Sequence, residues 1–153
     1  MIMKILDATC CYRGIWFNKH QKDTIYIDIR PEVKPDVIMD CTKTTFENKT
    51  FDLIVFDPPH QGFTKEAKGI FAKRYGSLRA EEIRTFIINA FKEFNRILKD
   101  EGFIAFKWND HDQKLINILK LQNEFEPLFG QVTSMRTKHK SQTYWVLLKK
   151  VNI

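Results

Sequence analysis

Two consecutive prolines behind an aspartate, Asp57-Pro58-Pro59-His60, close an apolar run that begins Phe51-Asp52-Leu53-Ile54-Val55-Phe56. The run reads as a buried parallel strand. Paired prolines neither continue a strand nor donate to its ladder, so the chain has to leave the sheet there. The Asp57 carboxylate is thereby expected at the carboxyl end of a central strand, where open α/β sheets hold their ligands. A fixed acid, a rigid carbonyl and an aromatic ring side by side suit a flat molecule that carries an amine.

Three further acids, Asp7, Asp28 and Asp40, stand where other strands are expected to finish. A lone strand-end aspartate is readily explained as a turn former or helix cap. Repetition at successive strands points instead to one crevice. A carboxylate after the second strand offers two acceptor oxygens to the hydroxyls of a ribose. The turn Asp7-Ala8-Thr9-Cys10-Cys11-Tyr12-Arg13-Gly14 has one glycine rather than G-x-G-x-x-G. That disfavours a dinucleotide and hydride transfer and favours a nucleoside without phosphates.

The elements needed to position these acids alternate between β and α. Strands are expected at Met3 to Asp7, Thr24 to Asp28, Val37 to Met39, Leu53 to Phe56, Phe103 to Phe106, Phe125 to Phe129 and Thr143 to Leu148. A short helical segment is expected near Gly14 to Asn18. The strongest helix is expected from Ala80 to Lys99, with Ile83, Phe86, Ile87, Ala90, Phe91, Phe94, Ile97 and Leu98 at helical spacing and Gly102 as its stop. A further helix is expected from His111 to Leu121. The pattern predicts an α/β chain with a single Rossmann-like, doubly wound sheet, mostly parallel with an antiparallel C-terminal edge hairpin.

With 153 residues, the chain is expected to form one domain, residues 1–153. Its 43% hydrophobic and 29% charged composition is ordinary for a globular protein, and its 13 Phe fall mostly in strand-like and helix-like segments. The start, Met1-Ile2-Met3-Lys4, lacks the apolar stretch of a signal peptide, and no run approaches membrane-spanning length. A cytoplasmic location is the default. Cys10, Cys11 and Cys41 form no CxxC pair and are expected as reduced thiols, with no metal site. A net charge of +6 favours a polyanionic partner such as nucleic acid.

Taken together, the residues resemble a known family. The order of acids and Asp57-Pro58-Pro59-His60 are similar to class I S-adenosylmethionine-dependent methyltransferases, specifically those that methylate amines of nucleic acids, and to small phage and bacterial methyltransferase-like proteins. Leu6-Asp7-Ala8-Thr9-Cys10, Asp28-Ile29-Arg30-Pro31, Pro35-Asp36-Val37, Ala72-Lys73-Arg74-Tyr75-Gly76, Phe106-Lys107-Trp108-Asn109 and Thr143-Tyr144-Trp145-Val146 carry the rest of the likeness. The resemblance implies S-adenosylmethionine as cofactor. Asp7, Ala8, Thr9 and Cys10 would face its methionine part, Asp28 and Ile29 its ribose, and Asp40 with Cys41 its adenine, with Asp57 nearby. Asp57, Pro58, Pro59 and His60 would form the catalytic corner that meets the acceptor amine. Two positions depart from the family: a glycine is usual where Cys11 or Tyr12 stands, and His60 replaces the commoner Tyr or Phe.

The implied reaction moves a methyl group to an exocyclic amine of adenine or cytosine, as in DNA methylation or RNA methylation. Hydrogen bonds from the amine to the Asp57 carboxylate and the Pro58 carbonyl would draw its nitrogen towards tetrahedral geometry and expose the lone pair. His60 would stack on the base, a contact worth on the order of 1–3 kcal/mol. The loop from Gln61 to Ser77 interleaves Lys65, Lys68, Lys73 and Arg74 with Phe63, Phe71 and Tyr75, as a nucleic-acid cover would. A second basic cluster is Arg136, Lys138, His139 and Lys140. Lys73, Arg74, Tyr75, Trp108 and Asn109 are the expected substrate contacts. A chain this short leaves no room for a separate recognition domain, so selectivity would be modest or come from a homodimer or another subunit. Two alternatives stay open: a small-molecule or protein-amide acceptor, and a non-catalytic nucleic-acid-binding subunit that keeps the fold.

Overall fold

The computed structural model describes residues 2–59, 80–135 and 141–151. Its strands are β1 (Ile5–Asp7), β2 (Thr24–Asp28), β3 (Val37–Ile38), β4 (Phe51–Phe56), β5 (Leu98–Asn109), β6 (Phe125–Met135) and β7 (Gln142–Lys150). Helix α1 (Ala80–Ile97) runs directly into β5, α2 (Leu115–Leu119) separates β5 from β6, and Pro31–Val33 form a 3₁₀ turn. All seven strands form one sheet in the order β3-β2-β1-β4-β5-β7-β6. Pairing is parallel from β3 to β5, whereas β7 lies antiparallel between β5 and β6. From β1 the chain steps outward through β2 and β3, then returns to build β4 on the other side. That reversal opens a crevice outside the carboxyl ends of β1 and β4.

The core explains the position of the Asp57 corner. Ile83, Ile87, Ala90, Phe91, Phe94 and Ile97 recur every three or four residues on α1 and are fully buried, so the helix lays one apolar face on the sheet. Phe56, the last residue of β4, meets Phe94 and Phe91 edge-on at 4.8 and 5.9 Å and stacks on Phe106 at 5.7 Å. Each such pair adds about 0.5–1.5 kcal/mol beyond area burial. The residue before Asp57 is thus held on three sides.

Several boundaries differ from expectation. Residues 14–18 form turns and bends rather than a helix, because Arg13 adopts a left-handed backbone (φ 56°) and its carbonyl accepts the Trp16 N–H. Helix α1 ends at Ile97, before Gly102, because the Lys150 ammonium from β7 donates to the carbonyls of Asn95 and Leu98. A cation at a helix C-terminus satisfies carbonyls left without intrahelical partners. Between the pairs Phe51–Leu98 and Leu53–Phe103 the register shifts, so residues 99–102 bulge from the ladder. Gly102 fits there because a Cβ would lie 2.6 Å from Leu98 Cγ. The helix expected from His111 shortens to Leu115–Leu119, since Asp110 and Gln142 exchange hydrogen bonds across the β5 end. Among the described residues no helix is long and apolar enough to cross a membrane.

Candidate active site at the strand ends

The turn after β1 is stitched to both neighbouring strands. The Ala8 N–H donates to the Val55 carbonyl on β4 (3.0 Å), and the Cys10 N–H to the Ile27 carbonyl on β2 (2.9 Å). The Asp57 N–H donates to the Thr9 hydroxyl oxygen (3.0 Å), and the Cys11 N–H to Asp28 Oδ2 (2.9 Å). One short turn therefore ties the ends of β1, β2 and β4 together. Cys11 is forced to φ 46°, a left-handed conformation that glycine adopts freely and that costs other residues roughly 1–2 kcal/mol. Cys11 is one of the two positions, with Tyr12, at which the sequence resemblance led to an expected glycine.

Arg13 secures the strained turn. Its guanidinium lies 3.9 Å from the Tyr26 ring centroid, pairs with Asp36 at 3.0 Å and donates to the Lys19 carbonyl at 2.8 Å. Trp16 packs edge-on against Tyr26 at 5.3 Å. The same indole donates its N–H to Asp7 Oδ2 at 2.6 Å, while the Thr9 N–H donates to Oδ1 at 3.2 Å.

Asp7 is 1% exposed. Burial pushes its carboxyl up to about 7, against the opposing hydrogen bonds from Trp16 and Thr9, and the charges of Asp57 and Asp28 raise it further. Asp28 and Asp57 flank Asp7 through the turn itself, which bonds the Asp28 carboxylate at Cys11 and the Asp57 backbone at Thr9. Asp40 behaves differently: its Oδ1 accepts both the N–H and the hydroxyl of Thr42, at 2.9 and 2.7 Å, as a turn-forming acid does.

Asp57 has an ionic partner that sequence reasoning missed. Lys107 Nζ donates to Asp57 Oδ2 at 3.0 Å, and both side chains are largely shielded. Register explains the meeting, since Phe56 pairs with Phe106 and the next residues on each strand stand side by side. The ammonium also lies 6.0 Å from the Trp145 ring centroid on β7, at the outer limit of cation–π attraction. Strand alternation was the available signal: carried on to Asn109, β5 puts Lys107 on the Asp57 side and Trp108 on the other.

The remaining expected site residues divide. Ala8 and Pro58 are buried, Thr9 and Pro59 half-buried, and Ile29 is exposed beside Asp28. Trp108 is corrected from a pocket residue to a core residue: it is wholly buried, packs 5.9 Å from Phe106 and donates its N–H to the Gln113 carbonyl. Asn109 donates to the Thr143 hydroxyl and accepts the His111 N–H, closing the β5–β7 end. Cys10 and Cys41 are buried too, and burial raises both thiols, Cys10 up to about 12. Cys41 belongs to the main core. His60, the loop from Gln61 to Ser77 with Lys73, Arg74 and Tyr75, and the cluster from Arg136 to Lys140 lie outside the described residues. Among the described residues no group of three His, Cys, Asp or Glu is arranged to hold a metal ion.

Comparison with solved structures identifies the architecture. The chain superposes on the PH0226 protein from Pyrococcus horikoshii with a TM-score of 0.70 at 14% identity, covering 99% of this chain and 83% of that one. A TehB-like S-adenosylmethionine-dependent methyltransferase from Corynebacterium glutamicum gives 0.66 at 15% identity, over 98% and 81% of the two chains. The chain has the methyltransferase fold. Geranyl diphosphate C-methyltransferase from Streptomyces coelicolor, solved with Mg2+, geranyl diphosphate and S-adenosyl-L-homocysteine, gives 0.66 at 10% identity over 97% and 74%. No family model and no curated protein sequence matches the chain. At these identities the likeness concerns the methyltransferase fold, and function has to be argued from the site.

Proposed function

We propose that this chain is an S-adenosylmethionine-dependent methyltransferase acting on an exocyclic amine of a nucleic-acid base. The observation that supports the reading is that the turn after β1 bonds the Asp28 carboxylate and the Asp57 backbone beside Asp7, with Asp57 oriented by Lys107. A ribose-suited carboxylate beside the Asp57 corner fits a nucleoside, and the solved structures on this fold include a protein named for the same cofactor. Asp28 would serve the ribose, and the turn around Asp7 and Thr9 the methionine end. When bound, this cofactor supplies a methyl group already activated on a sulfonium.

The protein's own residues then have to align and polarise the acceptor. Lys107 holds Asp57 Oδ2, and the Thr9 hydroxyl fixes the Asp57 N–H. Asp57 Oδ1 has no hydrogen-bond partner among the described residues and is the acceptor for an amine hydrogen. Accepting that hydrogen shifts electron density onto the amine nitrogen, whose lone pair is otherwise delocalised into the ring. Proline after Asp57 keeps the corner rigid, because its φ is fixed. The net charge of +6 supports a polyanionic substrate. A small-molecule acceptor is the second reading, favoured by the likeness to the geranyl diphosphate enzyme.

The test is transfer of labelled methyl groups to total nucleic acid, followed by nucleoside analysis. Label is expected on an adenine or cytosine amine. Asp57→Ala is expected to lower transfer at least about a hundredfold while S-adenosylhomocysteine binding, measured by calorimetry, is kept. Undiminished transfer by the variant removes Asp57 from the mechanism, and a folded protein that ignores the cofactor at millimolar concentration removes the reading itself.

A further inference from the structure

The carboxylate best placed for a ribose is already fully subscribed. Asp28 Oδ1 accepts the Arg30 N–H at 3.0 Å and Arg30 Nε at 2.9 Å. Asp28 Oδ2 accepts the Cys11 N–H at 2.9 Å and Arg30 Nη2 at 3.0 Å. A carboxylate has about four acceptor positions, so none is left over. Two of the four donors are backbone groups fixed by the turns on either side. The other two belong to one guanidinium, whose Nε–H and Nη2–H fork across the two oxygens. The side chains of this pair are only 15% and 6% exposed.

A vicinal diol presents the same pattern as that fork: two donors on neighbouring atoms, one for each oxygen. We infer that Arg30 is a placeholder for a cis-diol, and that the Asp28 site takes a ribose only when the guanidinium swings away and gives up both hydrogen bonds to the carboxylate. At the carboxylate the exchange is two donors for two, and Asp28 keeps its backbone donors throughout, while the departing guanidinium also gives up a hydrogen bond to Cys11. Arg30 then sets the affinity of the site, because every diol has to compete with a charge-assisted bidentate pair. A ligand lacking the diol gains nothing from displacing it, so the fork also selects against 2′-deoxy and 3′-deoxy nucleosides. The position directly follows the exposed Ile29 and precedes the 3₁₀ turn at Pro31–Val33. The side chain therefore has an exposed stretch of chain to swing beside.

This inference rests on the proposed reading of the crevice as a cofactor site, and two measurements separate them. The first uses the unmodified protein: the Nε–H signal of Arg30, assigned by its loss in Arg30→Lys, is followed by nitrogen–proton NMR during titration with S-adenosylhomocysteine. The signal is expected to shift and to exchange faster with water as ligand binds. The second is calorimetry at pH 8. Arg30→Met is expected to bind S-adenosylhomocysteine about tenfold tighter than wild type, equivalent to about 1.4 kcal/mol, with Arg30→Lys in between. Should Arg30→Met fail to fold, the NMR titration decides alone. Binding with an unmoved Arg30 signal, or variants that bind no tighter, overturns the placeholder and leaves the proposed function standing. Absence of binding by wild type and variants alike overturns both.

Discussion

Replacing Asp7 by asparagine isolates the energetic consequence of burying an acid among acids. The folded protein holds this carboxyl at about 7 against 3.8 for an unburied one, with burial as the main cause. Below pH 3.8 the group is protonated whether folded or not, and its contribution is complete. As pH rises from there towards 7 the unfolded chain releases the proton while the folded chain keeps it, so stability falls. Above 7 both forms are ionised and the loss levels off. A difference of about 3 units at 1.36 kcal/mol each puts the total near 4 kcal/mol. Asparagine avoids the charge, and its amide oxygen still accepts the Trp16 N–H. Its amide nitrogen replaces the oxygen that accepts the Thr9 N–H, which costs about 1 kcal/mol. The variant is therefore expected to be about 3 kcal/mol more stable than wild type at pH 8, and equal or slightly worse at pH 4. That gain moves a urea midpoint by roughly 1–2 M. The assay is urea unfolding by tryptophan fluorescence at intervals from pH 4 to 8, read as the difference between the two proteins so that other titrating groups cancel. A flat difference across that window, or one that shrinks as pH rises, refutes the argument.

Further expectations follow from neighbouring contacts. Trp16→Phe removes the N–H that donates to Asp7 at 2.6 Å, so the same difference titration, repeated with and without Asp7→Asn in the Trp16→Phe background, should level off above 7 rather than at 7. Lys107→Met frees Asp57 Oδ2 from its 3.0 Å partner; steady-state kinetics should show kcat lower by about tenfold or more, with S-adenosylhomocysteine affinity unchanged. Arg96 donates to the carbonyls of Phe46 and Thr44, to Asn48 Oδ1 and to Glu93, tying the stretch before β4 to α1. Arg96→Ala should cost about 2 kcal/mol in chemical denaturation, without altering the Asp7 pH profile.

What the sequence made legible was the punctuation of the sheet. Prolines end β4 at Phe56, β-formers with polar flanks mark Thr24–Asp28 at the expected bounds, and the strand-end acids follow from those limits. Less visible was anything decided by a partner distant in the chain. Nothing local shows that Trp16 reaches Asp7, so residues 14–18 read as a helical turn until the indole hydrogen bond and the Arg13 backbone are seen. Helix α1 ends where a lysine 53 residues beyond Ile97, Lys150, reaches its carbonyls, which no periodicity reveals. Trp108 was misplaced for a simpler reason: β5 continues past Phe106, and the extra residues return the indole to the core side. Asp28 was recognised for its oxygens, while the Arg30 fork that fills them depends on a side-chain geometry that spacing leaves undetermined.

The place of β7 between β5 and β6 has a bearing on how the chain is made. On the ribosome β6 emerges before the strand it pairs with among the described residues, since β7 is translated afterwards. Until then β5 offers an open, strongly apolar margin, and the α1 carbonyls await Lys150. A nascent or prematurely terminated chain stopping short of that lysine is thus the form most exposed to sticking to its own kind, and late insertion of a single ribbon is the step that a chaperone would have to guard.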